Sequence, residues 1–163
     1  MGQLPAARVQ STRAFLHTGL DYAGPITLKT FQGCGAKWGW IAVFVCMFSS
    51  AVHLEQVTDY TASTFIAAYR RFTSRRGICY TIYCSTQLAE TTIRCRIPLI
   101  SRIITAVKSI KFHLRRTIGD SLLTLEQYST LLAQIEAILN SRPLTLLNGD
   151  PADLAVLTPG HFL

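Results

Sequence analysis

The sequence predicts an α/β fold, in which a mixed sheet has helices packed on its faces, and three observations support that prediction. Strand-like segments fill the first third of the chain. At Thr61 the apolar residues change to helical spacing. Two amphipathic segments in the second half predict two further helices. Neighbouring strands pair antiparallel, whereas a strand that follows a helix can return parallel, so we expect both kinds of pairing in one sheet.

The predicted strands are short apolar runs bounded by glycine, proline or serine. They span 19–28, 38–47, 51–57 and 78–83. The second strand and the first half of the third lie within residues 38–54, which contain no Lys, Arg, Asp or Glu. That length is at the lower edge of a membrane-spanning helix. Its Val, Ile and Phe content and the break at Ser49 and Ser50 favour two buried strands instead.

The first predicted helix has recognisable signals at both ends. Asp59 or Thr61 is a candidate N-cap, because short polar side chains accept hydrogen bonds from the first free N–H groups of a helix. Gly77 lies where a C-terminal glycine is expected.

The other two helices differ in how clearly they begin. Residues 84–103 show no clean period and are interrupted by Pro98, so the second helix is predicted only near 103–118. The third runs from about 125 to 140 and follows the capping-box pattern Thr124-x-x-Gln127. The final LTPGHFL predicts no further element.

Composition indicates one compact, basic domain. The chain has 163 residues, of which 49% are apolar and 15% charged, and this excludes a disordered protein. Its net charge of +7 suits a polyanion, such as nucleic acid or an anionic membrane surface. The five cysteines show no C-x-x-C pattern. They are interpreted as reduced thiols of an intracellular protein, in the nucleus or the cytoplasm, with a structural zinc site as the alternative.

One carboxylate, Asp21, lies in the strand-like stretch HTGLDYAGPI at residues 17–26. A carboxylate is costly to bury unless it is paired, hydrogen-bonded or bound to a metal. The residue itself leaves two roles open, a metal ligand or a hydrogen-bonded aspartate at the end of a strand.

Five segments, in this order and at this spacing, resemble the catalytic core of retroelement integrases, most closely those of Pao/BEL-type retrotransposons. They are GLDYAGPI, AVHLEQVTDYTASTFIAAYRRFTSRRGI, AVKSIKFHLRRTIGD, LLAQIEAILNSRPLT and LTPGHFL. The resemblance spans nearly the whole chain except 84–103. It does not include the flanking zinc-binding and DNA-binding domains of such integrases, so the chain is expected to be a core fragment of a transposable element.

The resemblance implies an RNase H-like fold with a five-stranded mixed sheet. In that family two Asp and one Glu hold two Mg²⁺ (or Mn²⁺) ions, which serve DNA integration by polynucleotidyl transfer. Hard divalent cations need carboxylate oxygens as ligands. The bound cations then neutralise negative charge at the attacked phosphodiester. By this resemblance Asp21 is the first metal ligand and a catalytic residue. The resemblance also implies DNA as a partner and a homo-oligomer, and it implies no membrane.

The sequence departs from the family at the other two ligand positions. An ungapped alignment places Ser85 at the second aspartate and Ile104 at the glutamate, and only 19 residues separate them (104 minus 85). The nearest acid, Glu90, lies in the stretch that shows no family pattern. Two-metal catalysis is therefore expected to fail, which makes the site degenerate.

Two groups of cations are the predicted nucleic-acid contacts. Lys108 and Lys111 follow position 104 by four and seven residues, which places them on the same helical face, and Arg115 extends the line. Lysines at these offsets contact DNA ends in the family; a solvated basic face is the alternative. The second group ends the first helix and comprises Arg70, Arg71, Arg75 and Arg76. Contacts from these residues to phosphates would be sequence-independent and sensitive to salt.

Three functions remain open at this point: a working integrase core, an inactive core that keeps its nucleic-acid affinity, and a small basic module recruited to another nucleic-acid or protein partner. The missing acids favour the second. The predicted organisation is a linker at 1–16, a core-like domain at 17–158 that is disrupted at 84–103, and a tail at 159–163. The NSRP stretch at 140–143 is expected to end the last helix and shape the loop that follows.

Overall fold

The main sheet has four strands in the described part of the chain. A computed structural model describes residues 12–29, 36–84, 97–119, 121–146 and 155–163. The strands are β1 His17–Lys29, β2 Ala36–Cys46, β3 Val52–Val57 and β4 Thr81–Cys84, in the order β3-β2-β1-β4. β1 pairs antiparallel with β2 and parallel with β4, and β2 pairs antiparallel with β3. The predicted mixed sheet is confirmed, and β2 and β3 account for the apolar run at 38–54.

In the described ranges three helices cover this sheet, followed by a short hairpin and a 3₁₀ helix. The helices are α1 Ala62–Arg76, α2 Ile97–Ile118 and α3 Leu125–Asn140. A hairpin of β5 Thr145–Leu146 and β6 Val156–Leu157 comes next, followed by a 3₁₀ helix at Pro159–Phe162. The prediction that LTPGHFL forms no element is therefore wrong.

α2 begins at Ile97, so the prediction that this helix starts near 103 is also wrong. Pro98 lies in the first turn of the helix, where backbone N–H groups form no intrahelical hydrogen bond, so a proline is tolerated there. Residues 85–96, the rest of the segment without a clean period, lie outside the described residues. The fifth strand that the resemblance implies would also fall there.

The ends of α1 are built from the predicted capping residues. Thr61 is the N-cap, and its side chain accepts a hydrogen bond from the N–H of Thr64. Asp59 lies two residues before Thr61 and accepts hydrogen bonds from the Thr61 N–H at 2.9 Å and from the Thr64 hydroxyl at 2.7 Å. Hydrogen bonds from Thr61 and Thr64 lower the pKa of Asp59 to about 2. Gly77 ends the helix with a φ of 85°, a conformation that favours glycine.

The sheet has a separate apolar core on each face. On one face α2 and α3 cover a cluster that includes Ala23, Val43 and Ile110. On the other face α1 packs through Phe72, whose ring stacks on that of Phe44 with their centroids 4.2 Å apart.

Residues 12–16 are packed against this second core. Phe15 is fully buried, with its ring edge-on to Phe72 at 5.3 Å between centroids. Arg13 donates a hydrogen bond to the carbonyl of Arg76 at 2.8 Å. The predicted linker at 1–16 therefore overlaps packed chain from residue 12 onward, and its remainder lies outside the described residues.

α2 packs against β1 at Gly19. A Cβ at this position would lie 2.6 Å from Ile103 Cγ1 and would also overlap the Met47 side chain. Only glycine allows the helix to approach the strand this closely, so Gly19 fixes how α2 lies across the sheet.

Asn140, at the end of α3, pairs with the outer edge of β3. Its Oδ1 accepts from the Val52 N–H and its Nδ2 donates to the Val52 carbonyl, both at 2.8 Å. β3 is an edge strand of the sheet, so these two backbone groups point away from β2. The side-chain amide, itself 5% exposed, acts as the missing neighbour strand. Asn140 thus has a role beyond the predicted helix termination.

Replacing Asn140 with alanine is expected to lower the free energy of unfolding by about 2 to 4 kcal/mol, because it leaves two buried backbone groups unpaired. Urea denaturation followed by circular dichroism measures this difference. The matched control is Gln134→Ala, which removes an exposed amide from the same helix and should change the stability by less than about 0.5 kcal/mol. Equal effects of the two substitutions would show that the contact with Val52 contributes nothing.

Candidate functional site

Asp21 lies in β1 directly after the last residue that pairs with β4, since Leu20 is opposite Cys84. Side chains alternate along a strand, so Asp21 shares a face with Gly19 and Ala23. Gly19 is in contact with Ile103 of α2, and Ala23 belongs to the core beneath α2 and α3. The half-buried carboxylate therefore lies at the end of β4, on the face of the sheet that α2 covers.

Two interactions of Asp21 with described residues are a hydrogen bond from the next backbone N–H and the effect of its charge on Tyr60. Its Oδ1 accepts from the Tyr22 N–H at 2.8 Å. The Tyr22 and Tyr60 rings lie 4.9 Å apart, and Tyr60 packs on Trp40 at 4.2 Å. Burial, followed by the charge of Asp21, raises the pKa of the Tyr60 hydroxyl. Among the described residues no ion pair involves Asp21, so its carboxylate is not neutralised by a described cation.

The position predicted for the third ligand presents an apolar side chain. Ile104 lies on α2 one residue after the fully buried Ile103 and is 42% exposed. Ser85 and Glu90 lie outside the described residues. Within the described ranges, no three His, Cys, Asp or Glu side chains are grouped so that they could hold a metal. The described donors therefore do not fit a pair of hard cations, because Asp21 alone offers a carboxylate.

A basic stripe begins at this position. Lys108, Lys111 and Arg115 are all exposed and continue the line from Ile104 along α2, whose buried residues include Ile110 and Leu114. None of the three cations forms an ion pair with a described residue. This is the arrangement expected from the spacing, and DNA contact by these residues stays a prediction.

Three of the four arginines on α1 are engaged within the protein. Arg71 Nε donates to Glu55 Oε2 at 2.6 Å, and Arg75 Nη1 donates to Glu55 Oε1 at 3.1 Å. Arg76 Nη2 donates to Glu136 Oε1 at 2.8 Å. Their charges are thus partly balanced before any ligand arrives, whereas Arg70 is exposed and forms no ion pair in the described part of the chain. Phosphate contact by these arginines also stays a prediction.

His53 lies between the carboxylates of Glu55 and Glu136 and is 2% exposed. Its Nε2 is 3.1 Å from Glu55 Oε1, and its Nδ1 is 3.1 Å from Glu136 Oε1. An ionised carboxylate only accepts, so two ionised glutamates at these distances require both ring nitrogens to donate, which is the imidazolium form. We call His53, Glu55 and Glu136, with their three arginines, the His53 network. This network was not predicted from the sequence, although His and Glu inside the apolar run AVHLEQV indicate buried charges that need partners.

Burial and pairing act in opposite directions on the pKa values of this network. Burial lowers the pKa of His53, but hydrogen bonds with Glu136 and Glu55 outweigh it, and the pKa is raised. Burial raises the pKa of Glu55 and Glu136, yet the His53 hydrogen bond and the arginines bring both below the ordinary glutamate value. All three groups are therefore held in their charged forms.

The comparisons with known proteins identify the fold. No protein-family model matches the sequence, and no curated protein matches it. Solved structures do match it, among them the following two. One is a chain of the simian T-cell lymphotropic virus intasome in complex with PP2A regulatory subunit B56 gamma, with a TM-score of 0.58 at 16% identity. The fold is that of an integrase core. The match covers 99% of this chain and 59% of the viral one, so the chain spans less than two thirds of that relative.

The second match is the HTLV-2 integrase catalytic core domain in complex with magnesium, in a dimeric form. The TM-score is 0.52 at 15% identity, and the match covers 86% of this chain and 95% of that domain. The predicted RNase H-like, integrase-core fold is therefore confirmed. In the described part of the chain no helix is both long and apolar enough to cross a membrane.

The His53 network predicts a stability maximum in mildly acidic solution. The raised pKa of His53 means that its stabilisation is complete below the ordinary histidine value of about 6.5 and is lost as pH rises through the folded value. The lowered pKa values of Glu55 and Glu136 give stabilisation that is present above about pH 4.3 and lost as pH falls through their folded values.

Thermal melts across this pH range measure the effect as a slope. His53→Gln should remove most of the decline above about pH 6.5, while Gln134→Ala, which removes an exposed amide that does not titrate, should leave the slope unchanged. Comparing slopes separates titration from any general loss of stability in the variant. The network assignment is contradicted if wild type shows no decline above neutral pH.

Proposed function

We propose that this protein is a retrotransposon-derived integrase core that binds DNA through α2 and has lost metal-dependent strand transfer. The observation that supports this most directly is the sequence of side chains along one exposed edge of α2. Ile104 occupies the ligand position, and Lys108, Lys111 and Arg115 follow it. The basic edge is retained while the carboxylate at its head is absent.

Loss of catalysis follows from the chemistry of the ligand positions. Two Mg²⁺ ions bring four positive charges next to a phosphodiester, and several carboxylate oxygens are needed to hold them there. Asp21 supplies one carboxylate, and Ile104 supplies none. The HTLV-2 core binds magnesium, but Asp21 is the one described ligand that this chain offers toward such a site.

DNA binding and self-association are the parts of the family function that need no metal. The net charge of +7 and the unpaired basic stripe support affinity for a polyanion. The solved relatives form an intasome and a dimer, and we propose that this chain also self-associates. The assignment to Pao/BEL-type elements rests on the sequence motifs.

DNA binding should depend strongly on salt, and the Lys108→Ala/Lys111→Ala double variant should reduce the slope of log K against log salt by about 2. Fluorescence anisotropy with a labelled duplex measures both quantities. Arg116→Ala removes one charge from the same helix outside the stripe and should reduce the slope by less than half as much. If Arg70→Ala lowers the slope while the double variant does not, α1 rather than α2 is the DNA-binding face.

Strand transfer and nicking should be absent with Mg²⁺ or Mn²⁺, and Asp21→Asn should behave like wild type in both assays. A labelled duplex resolved on a denaturing gel reports either product. Activity that disappears in Asp21→Asn would overturn the proposal, because it would require an acid at 85–96 to complete the site. Absence of activity and of DNA binding at low salt would instead favour a basic module recruited to a protein partner.

A further inference from the structure

A groove of about 400 Å³ lies beside β1 at the C-terminal end of α2. Residues 23–27 of β1 form one wall, and the last turns of α2 form the second. Ser121 and Leu122 form the third. The Lys29 N–H donates to the Leu123 carbonyl at 2.8 Å, and Leu28 bridges to Leu123, so this third wall is tied to the strand. The groove is therefore a built feature rather than a gap beside a loose loop.

The interior of the groove is aliphatic. Ile26, Leu114 and Ile118 line it, and Leu122 stands at its lip with 53% of its surface exposed. Apolar surface left in water has a free-energy cost that a fitting aliphatic side chain would remove.

The rim of the groove on the α2 side is cationic. Lys111 and Arg115 lie one helical turn apart and are both exposed. Neither is paired with a described acid, and the described lining residues include none; Asp120 lies outside the described residues. The charge that complements this rim is a carboxylate or a phosphate.

The lining favours a peptide over a nucleic acid. Recognition of a base uses stacking on aromatic rings and hydrogen bonds to its edges. The described lining has no aromatic ring and no side-chain amide. A duplex backbone would meet the two cations but would leave the aliphatic interior in water.

We propose that this groove binds a short acidic peptide segment of a partner protein. An aliphatic side chain of the peptide fills the space between Ile26, Ile118 and Leu122, and a neighbouring carboxylate pairs with Lys111 and Arg115. This surface overlaps the basic stripe at two cations only, and Leu122 has no part in the DNA-binding edge. The two functions can therefore be tested separately.

Selection of a displayed library of random peptides of about 12 residues against the full chain tests the proposal. Enriched peptides should carry Asp or Glu within about four positions of Leu, Ile or Met. Synthetic copies, measured by fluorescence anisotropy, should lose at least about five-fold in affinity with Leu122→Ser and with Arg115→Gln. Lys108→Gln, on the same helix but outside the groove, should change the affinity by less than about two-fold.

Three results would overturn the proposal. The first is a selection that enriches no acidic–aliphatic pattern. The second is enriched peptides whose affinity falls with Arg115→Gln but not with Leu122→Ser, which would indicate polyanion binding alone. The third is a loss of affinity for an oligo-dT strand in the Leu122→Ser variant, which would indicate that the groove binds nucleic acid. If the Leu122→Ser variant still binds duplex DNA, then the proposed DNA binding by α2 does not depend on peptide binding in the groove.

Discussion

The edge of β3 is the constraint on which the rest of this architecture depends. An edge strand exposes N–H and C=O groups that need partners. Here α3 supplies them from two side chains one turn apart: Asn140 pairs with both backbone groups of Val52, and Glu136 accepts from the Leu54 N–H at 2.9 Å. A helix that packs on one face of the sheet thus also closes its side.

The same glutamate connects this closed edge to the opposite face. Glu136 bonds to His53 and Arg76, so α3, β3 and α1 share one set of charges around the strand. A buried ion pair is stabilising only when each member is satisfied, and removing one partner leaves an uncompensated charge. Three of the arginines that the sequence predicted as DNA contacts, Arg71, Arg75 and Arg76, are therefore part of the fold.

Local patterns predicted much of this fold, and their failures have physical causes. The capping residues Thr61 and Thr124 were found from sequence, because a cap depends on neighbours a few residues away. The start of α2 was missed because Pro98 was interpreted as a break, although proline is accommodated in a first turn. The pairing of His53 with Glu136 joins residues 83 apart, a separation that no local pattern encodes. At the site, the stripe through Lys108 was predictable from helical spacing, whereas the groove beside Leu122 required the packing of three segments.

Ile103 and Ile104 are neighbours on α2, but packing constrains the two positions very differently. Ile103 is completely buried and sits against Gly19, whereas its neighbour faces solvent. Packing therefore restricts position 103 to a side chain that fits against Gly19, whereas position 104 can change without disturbing the contact between α2 and β1. The surface chemistry of this helix can thus vary independently of the fold that carries it.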